Sequence, residues 1–149
     1  MKKAFLLLSI VIGLSETSKA QSVAYYPFSS ILSVSTNPEL RVWGDLRFQT
    51  NSFFSSLSTE IAPAINLNNN DKGRFYLGGG ARLNYLATLQ DNDILEGFFF
   101  NAGVRSAPFD KYPQVQIAFE LSPYVASDFE SGLLRTRLGV AYNFSRKSK

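Results

Sequence analysis

The chain has 149 residues, a formal net charge of +3, and neither cysteine nor histidine. Without cysteine it cannot use the disulfides that stabilise many small exported domains. Without histidine it lacks the side chain that most often acts as a general base near neutral pH, so the composition argues against an enzyme.

The first twenty residues have the pattern of a secretory signal peptide. Residues 1–3 are basic, residues 4–14 are almost wholly apolar, and small and polar residues follow up to Ala20. The apolar run is much shorter than the roughly 20 residues of a membrane-spanning helix. Cleavage after Ala20 would reduce the 15 basic and 12 acidic residues to 12 and 11, a charge of +1. So small a charge predicts no nucleic-acid partner.

Residues 21–37 are ambiguous. Residues 31–35 (ILSVS) fit a strand that pairs with the following segment through Asn37-Pro38. An extended leader fits the same residues equally well, so both interpretations stay open.

Residues 38–144 are predicted to form the main domain. Apolar and polar residues alternate there with the period of two that is typical of β-strands, and turn-forming residues such as NNNDKG at 68–73 separate the strands. No helical pattern of comparable quality follows the signal peptide. Six strands are predicted, at residues 39–50, 53–67, 74–88, 97–106, 114–125 and 133–144.

These strands are long enough to cross a membrane. Each spans ten or more residues, whereas strands of globular proteins most often have five or six, and a tilted strand needs about 9–11 to cross a bilayer. A membrane protein without spanning helices must be a closed barrel. We therefore predict an antiparallel up-and-down transmembrane β-barrel with six clear strands and up to eight in total.

The charged residues of the strands lie opposite their apolar faces. In a membrane barrel the apolar faces meet lipid and the charges fill the lumen. The alternative is a secreted or periplasmic lipocalin-like barrel or β-sandwich, which turns the apolar faces inward around a lipophilic ligand. The predicted lumen polar network is Arg41, Asp45, Arg47, Glu60, Arg82, Arg105, Glu120, Arg135 and Arg137.

Two further features favour the membrane. Aromatic residues lie near the strand ends, as in interfacial girdles. Glycines lie inside strands, at residues 78–80, Gly103 and Gly139, where they suit tight curvature and leave room for large lumen side chains. Pro63 and Pro123 interrupt apolar faces, which predicts bulges or strand ends there.

The last strand, LLRTRLGVAYNF, is amphipathic and ends in the aromatic residues Tyr142 and Phe144. In this it resembles the small outer-membrane barrels of the OmpA/OmpX type. The resemblance implies that Tyr142 and Phe144 form a closing-strand signal for the barrel-assembly machinery. A basic tail at residues 145–149 follows the signal.

The predicted function is a structural or accessory role in the bacterial outer membrane. The lumen network is interpreted as an internal plug of salt bridges, and a narrow anion-selective pore is the alternative, because six arginines face three acids. No catalytic, cofactor or metal site is predicted. Eight strands are usual for the smallest barrels, so we expect that residues 21–37 add strands or that a larger outer-membrane complex supports the barrel.

The predicted topology places both mature termini in the periplasm. The turns at 50–52, 89–96 and 126–131 would then face outward, and those at 68–73 and 107–113 would face the periplasm. All the outward loops are short, which argues against a receptor or an adhesin.

Overall fold

The computed structural model describes residues 22–51, 58–68, 70, 72–85 and 93–144. Eight antiparallel strands in these ranges close into a barrel, with each strand paired to the next and the last paired to the first. The strands are β1 (Ser22–Tyr26), β2 (Ile31–Ser35), β3 (Val42–Gln49), β4 (Ser58–Asn66), β5 (Gly73–Asn84), β6 (Leu95–Ser106), β7 (Val115–Ala126) and β8 (Gly132–Asn143). The predicted all-β antiparallel barrel is confirmed. The signal peptide and the basic tail lie outside the described residues.

The ambiguous segment at residues 21–37 forms the first two strands. β1 and β2 are a hairpin whose connection is a short 3-10 helix, Pro27–Ser29, followed by Ser30 with a positive φ of 49°. The barrel therefore begins at Ser22 rather than at residue 38. Five-residue strands give too short an alternation to be recognised with certainty from sequence.

The six clear strands correspond to β3–β8 with shifted ends. The first of them starts three residues later than predicted, because residues 36–41 form a loop instead of extending the strand. In that loop the Asn37 side chain accepts a hydrogen bond from the Glu39 amide at 2.9 Å, and its carbonyl accepts one from the Leu40 amide at 3.1 Å. These turn contacts delay the start of β3 to Val42.

The strands are strongly tilted. A path of paired residues around the barrel leaves Tyr142 on β8 and returns to β8 at Gly132, ten residues away. It passes through Val23, Val34, Leu46, Ile61, Ala81, Phe98 and Val125. A stagger of ten over eight strands corresponds to a tilt of about 40°, given a rise of ~3.3 Å per residue and a strand spacing of ~4.7 Å.

The two ends of the barrel are distinct. The start of β1, Ser22, and the end of β8, Asn143, lie at one end together with the connections at 36–41 and 107–114 and the described residues between β4 and β5, and we call this the termini end. The β1–β2 hairpin and residues 127–131 are directed to the other end, the hairpin end. The described residues of the predicted turns separate in the same way, with 50–51, 93–96 and 126–131 at the hairpin end and 68, 70, 72–73 and 107–113 at the termini end. Which end faces the cell exterior stays a prediction.

The barrel carries its apolar side chains outside and its polar side chains inside. Asp45, Arg47, Glu60, Glu120 and Arg137 are all buried, which is the reverse of an ordinary soluble core. The outward face forms an apolar belt of exposed residues: Val42, Phe48, Ile61, Ile65, Phe75, Phe98, Phe100, Ile117, Phe119, Leu121, Leu134, Leu138, Val140 and Tyr142.

The prolines lie within strands rather than at their ends. Pro63 pairs with Gly44 on one side and Pro123 with Leu134, whereas the ladders to β5 and β6 on their other sides are interrupted at these positions. A proline has no N–H and so cannot donate to one of its two neighbours. The expectation of bulges or strand ends was wrong, because each strand keeps its course through the proline with one ladder intact, and the interrupted ladder resumes without an extra residue on either strand.

Candidate functional site: the charged interior

Strand alternation brings the interior side chains together. On β3 the odd-numbered residues Trp43, Asp45 and Arg47 point inward and are 2–3% exposed. Glu60 on β4 and Glu120 on β7 point into the same space. The interior is thus filled from several strands at once.

Glu120 is the centre of the first cluster. Its Oε1 atom accepts hydrogen bonds from Arg47 Nη2 at 2.8 Å, from the Tyr26 hydroxyl at 3.1 Å and from the Tyr76 hydroxyl. Arg47 also donates from Nε to Asp45 at 2.7 Å. A buried carboxylate is stable when paired in this way and costly when it is not.

Glu60 is the centre of the second cluster. Arg135 Nη1 and Arg137 Nη2 both donate to Glu60 Oε1, at 2.8 and 2.9 Å. Arg47 Nη1 lies 3.9 Å from Glu60 Oε2 and so connects the two clusters. The result is one continuous network of buried charges across the barrel.

A third cluster lies towards the hairpin end. Arg82 forms an ion pair with Glu96 at 2.5 Å and donates to Gln49 at 2.9 Å. Asn84 donates to Glu96 at 2.9 Å, and Ser58 donates to the same carboxylate at 3.3 Å. Ser58 is buried, but the other groups of this cluster are partly exposed, so the cluster forms the solvent-facing limit of the network.

Arg105 differs from the other interior arginines. It is 4% exposed and donates to Ser22 Oγ at 3.3 Å, but it forms no ion pair with any described residue. Its guanidinium lies 4.7 Å from the centroid of the Trp43 ring and 6.0 Å from that of Tyr76. Aromatic faces stabilise a desolvated cation at such distances.

Glycines provide the space that this network needs. A Cβ atom on Gly103 would overlap the Tyr76 ring and lie 2.9 Å from Glu120 Cγ. A Cβ atom on Gly139 would lie 2.7 Å from the Tyr26 ring. Both tyrosines that donate to Glu120 therefore depend on a facing glycine.

One predicted network residue is not inside the barrel. Arg41 belongs to the loop before β3 and is exposed, since the strand begins at Val42, three residues later than the predicted start at residue 39. The other eight predicted residues are interior: Asp45, Arg47, Glu60, Arg82, Arg105, Glu120, Arg135 and Arg137.

The sequence analysis missed three charged residues. Arg74 is buried near Glu39 at the termini end, and Glu96 pairs with Arg82. Among the described residues the interior and its rims then contain six arginines and five acids, not six and three. Glu96 comes one residue before the predicted fourth strand, and the observed strand starts at Leu95.

The proposed closing-strand aromatics lie on the outer surface. Tyr142 and Phe144 are 46% and 62% exposed, with their ring centroids 4.9 Å apart. They extend the apolar belt at the termini end. Recognition by an assembly machinery stays a prediction.

Comparison with known protein families, characterised proteins and solved structures finds no match to this chain. Within the described ranges there is no helix long and apolar enough to span a membrane. The same ranges contain no group of three or more acidic, cysteine or histidine side chains able to hold a metal ion.

Proposed function

We propose that this chain is a small outer-membrane β-barrel with a structural or accessory role and a plugged interior. The observation that carries the proposal is the apolar belt around a charged core. In water the belt would expose most of the large apolar side chains of the strands, which is unfavourable. In a bilayer the same apolar surface contacts the hydrocarbon chains of the lipid, so its exposure is favourable there.

The dimensions agree with a bilayer. β5, β6, β7 and β8 each have 12 residues. At ~3.3 Å per residue and a tilt of about 40°, such a strand rises about 30 Å, the thickness of a hydrocarbon core. Aromatic residues lie at both limits, with Tyr112 and Phe144 at the termini end and Tyr85 and Phe129 at the hairpin end, as expected of interfacial girdles.

The outward placement of the apolar faces favours this proposal over a lipocalin-like binder. A soluble binder needs an apolar cavity for its ligand. Here the barrel axis is occupied by ion pairs, and the interior cavity lined by Ile31, Gln49, Ser58 and Arg82 measures about 20 Å³. That is room for about one water molecule. A larger space of about 400 Å³ lies at the loops of the termini end, where Glu39, Arg41, Asn66 and Asn68 make its lining largely polar.

The charges of the interior also favour the interpretation as a plug, rather than as an anion-selective pore. The pore hypothesis rested on an excess of three positive charges, and the described interior has an excess of one. Every interior arginine except Arg105 has a carboxylate partner within 4 Å. Charges that are paired this closely favour a plugged interior over an open path for anions.

Export by a cleaved signal peptide, insertion by the barrel-assembly machinery and membership of a larger outer-membrane complex are parts of the same proposal. They rest on the sequence pattern at residues 1–20 and on the closing strand. Outer-membrane lipid is the partner that the belt itself implies.

The experiment is expression with the native leader, followed by membrane fractionation and gel migration of heated and unheated samples. Closed membrane barrels resist SDS until boiled, so we expect a heat-dependent shift in the outer-membrane fraction. Soluble periplasmic protein without a shift would contradict the proposal. Arg41→Gln, which changes only an exposed loop residue, is the control variant and should migrate as the parent does.

A further inference from the structure

Arg105 has two unpaired hydrogen-bond donors inside the barrel. Its Nη1 atom donates to Ser22 Oγ at 3.3 Å, whereas Nε and Nη2 are buried and have no hydrogen-bond partner in the described part of the chain. The whole side chain is 4% exposed, and a buried donor without a partner is unfavourable. The plug of ion pairs therefore does not account for Arg105.

The two unpaired donors belong to the same edge of the guanidinium. Nε–H and one N–H of Nη2 are parallel along that edge, while Nη1 lies on the other side of the planar group. Two parallel N–H groups of an arginine bind two oxygens of a carboxylate or a phosphate. A water molecule can accept from the same edge, but it brings no charge to balance the guanidinium. We call this edge of Arg105 the fork.

The carboxylates that act on Arg105 are already hydrogen-bonded elsewhere. Asp45 and Glu120 attract Arg105 through space, but they accept hydrogen bonds from Arg47 at 2.7 and 2.8 Å. Arg74 is directly opposite Arg105 in the β5–β6 ladder, and like charges at opposite positions of a ladder repel each other. The surroundings of the fork therefore favour a further negative charge.

Aromatic rings hold the fork in position. The Arg105 guanidinium lies over the Trp43 ring, 4.7 Å from its centroid. Trp43 is itself held by its Nε1 atom, which donates to Asn66 Oδ1 at 3.1 Å, and by an edge contact with Tyr76. Stacking on a ring leaves the N–H edge of a guanidinium available to a ligand. A donor pair that is ordered before binding loses little entropy when the ligand arrives.

The loop at residues 36–41 gives the termini end a route to this position. Asn66, which holds Trp43, also donates to the carbonyls of Pro38 and Leu40 in the loop, at 2.8 and 2.7 Å. The polar space of about 400 Å³ lies against the same loop and is lined by Asn66 as well. The loop thus connects the polar space at the surface with the residues that support Arg105, and we place the entry of a ligand here.

We propose that the fork of Arg105 binds one small oxyanion, of the carboxylate or phosphate type, inside the termini end of the barrel. Nε and Nη2 donate to two oxygens of the anion, and its charge compensates Arg105 opposite Arg74. The anion is small, because the surrounding side chains leave Arg105 only 4% exposed. The plug of the interior is then complete only when the anion is bound.

The chain itself has one other carboxylate in the connections of this end. Of the acidic residues after residue 20, only Asp71 and Asp91 lie outside the described ranges. Asp71 belongs to the connection between β4 and β5, at the termini end, and Asp91 to a connection at the hairpin end. If the Asp71 carboxylate occupied the fork in solution, a free anion would not bind. Asp71→Asn is therefore one of the variants to be tested.

The first measurement uses Trp43, the only tryptophan of the chain. The protein is refolded in chloride, in a detergent without phosphate or carboxylate groups. Trp43 emission is then recorded during titration with sodium phosphate or sodium formate at constant ionic strength. An anion on the fork changes the charge beside the ring, so we expect a saturable change in emission with at least one of the two anions. Lys111→Gln, which removes an exposed positive charge at the same end, is the control and should respond as the parent does.

The second measurement separates the fork from its charge. Arg105→Lys keeps the positive charge but lacks the two parallel N–H groups, so we expect binding to be about tenfold weaker, as for the loss of one charge-assisted hydrogen bond. Because this variant also changes the surroundings of Trp43, the urea midpoint is measured with and without the anion. The anion should raise the midpoint of the parent and of Lys111→Gln, and not that of Arg105→Lys. Arg105→Gln takes the place of Arg105→Lys if the latter does not fold.

The outcomes are distinct from those that test the proposed function. A parent protein that responds to neither anion overturns the inference, and so does an Arg105→Lys variant that binds as tightly as the parent. A response that appears only in Asp71→Asn assigns the fork to the chain's own carboxylate and overturns it as well. Recovery of the protein outside the outer membrane would contradict the proposed function alone, since the same titration in buffer without detergent would still test the fork.

Discussion

At the scale of single residues, the interior network depends on a few acids that each hold several donors. Glu120 accepts hydrogen bonds from Arg47, Tyr26 and Tyr76 at once. Without its charge, Arg47 would keep Asp45 at 2.7 Å and the more distant Glu60 at 3.9 Å as carboxylate neighbours. The arginines outnumber the acids, and each carboxylate is therefore more critical than each arginine.

Glu120→Gln tests this dependence. The amide keeps the size of the side chain but leaves the buried Arg47 with less compensation, and breaking such a buried pair costs about 3–5 kcal/mol. We expect the variant to unfold in detergent micelles at a lower urea midpoint than the parent. The heat-dependent gel shift measures the folded fraction at each urea concentration. Glu130→Gln, at an exposed position in the loop before β8, should stay within ~0.5 kcal/mol of the parent. Equal stability of the two variants would contradict the central role of Glu120.

Gly103→Ala tests the space behind Tyr76. The added methyl group meets the Tyr76 ring and Glu120, and overpacking of this kind costs about 1–3 kcal/mol. Gly44→Ala is the matched control, since a Cβ atom there has no neighbour within 4 Å. We expect only the first variant to unfold at lower urea, and a neutral Gly103→Ala would show that the interior is loosely packed.

At the scale of elements, alternation identified β3–β8 because each is long enough to repeat the pattern several times. It could not define β1 and β2, whose five residues each rely on pairing with long neighbours. Alternation also assigned most interior charges, since side-chain direction follows from position in a strand. It misplaced Arg41, because a loop held by Asn37 decides where β3 begins.

Sequence reasoning could not identify the partners within the network. Tyr26 and Tyr76 donate to Glu120 on β7, which is far from both in the sequence. These side chains lie close together only because the barrel closes with its particular stagger. The interior positions could thus be predicted from residue pattern, whereas the contacts between them required the closed fold.

Charged substitutions along β7 test whether this element crosses lipid. An arginine on the lipid face costs about 2–4 kcal/mol at the bilayer midplane and about 0–1 near the interface. Leu121→Arg lies near the middle of β7 and Val115→Arg at its end, so the first should reduce the folded fraction in lipid bilayers far more than the second. If the two variants reduced the folded fraction equally, the cost of the charge would not depend on its position along β7, which would contradict a strand that crosses a bilayer.

At the scale of the whole molecule, the described part of the barrel combines an apolar exterior with an interior occupied by ion pairs. Purified protein in a planar lipid bilayer should therefore show no conductance steps above baseline. Glu60→Gln, which unpairs Arg135 and Arg137, is the variant most able to loosen the plug. Regular steps with the parent protein would revive the pore hypothesis.

The most direct test of the central claim is the depth profile of the apolar belt. The chain has no cysteine, so single spin labels can be placed at Ile117, Phe119, Leu121 and Val125, and their collisions with oxygen and with a water-soluble nickel chelate can be measured in bilayers. The account predicts that the ratio of oxygen to nickel collisions peaks at Phe119 or Leu121 and falls towards both ends of β7. A flat profile with ready access of the nickel chelate at all four positions would contradict it.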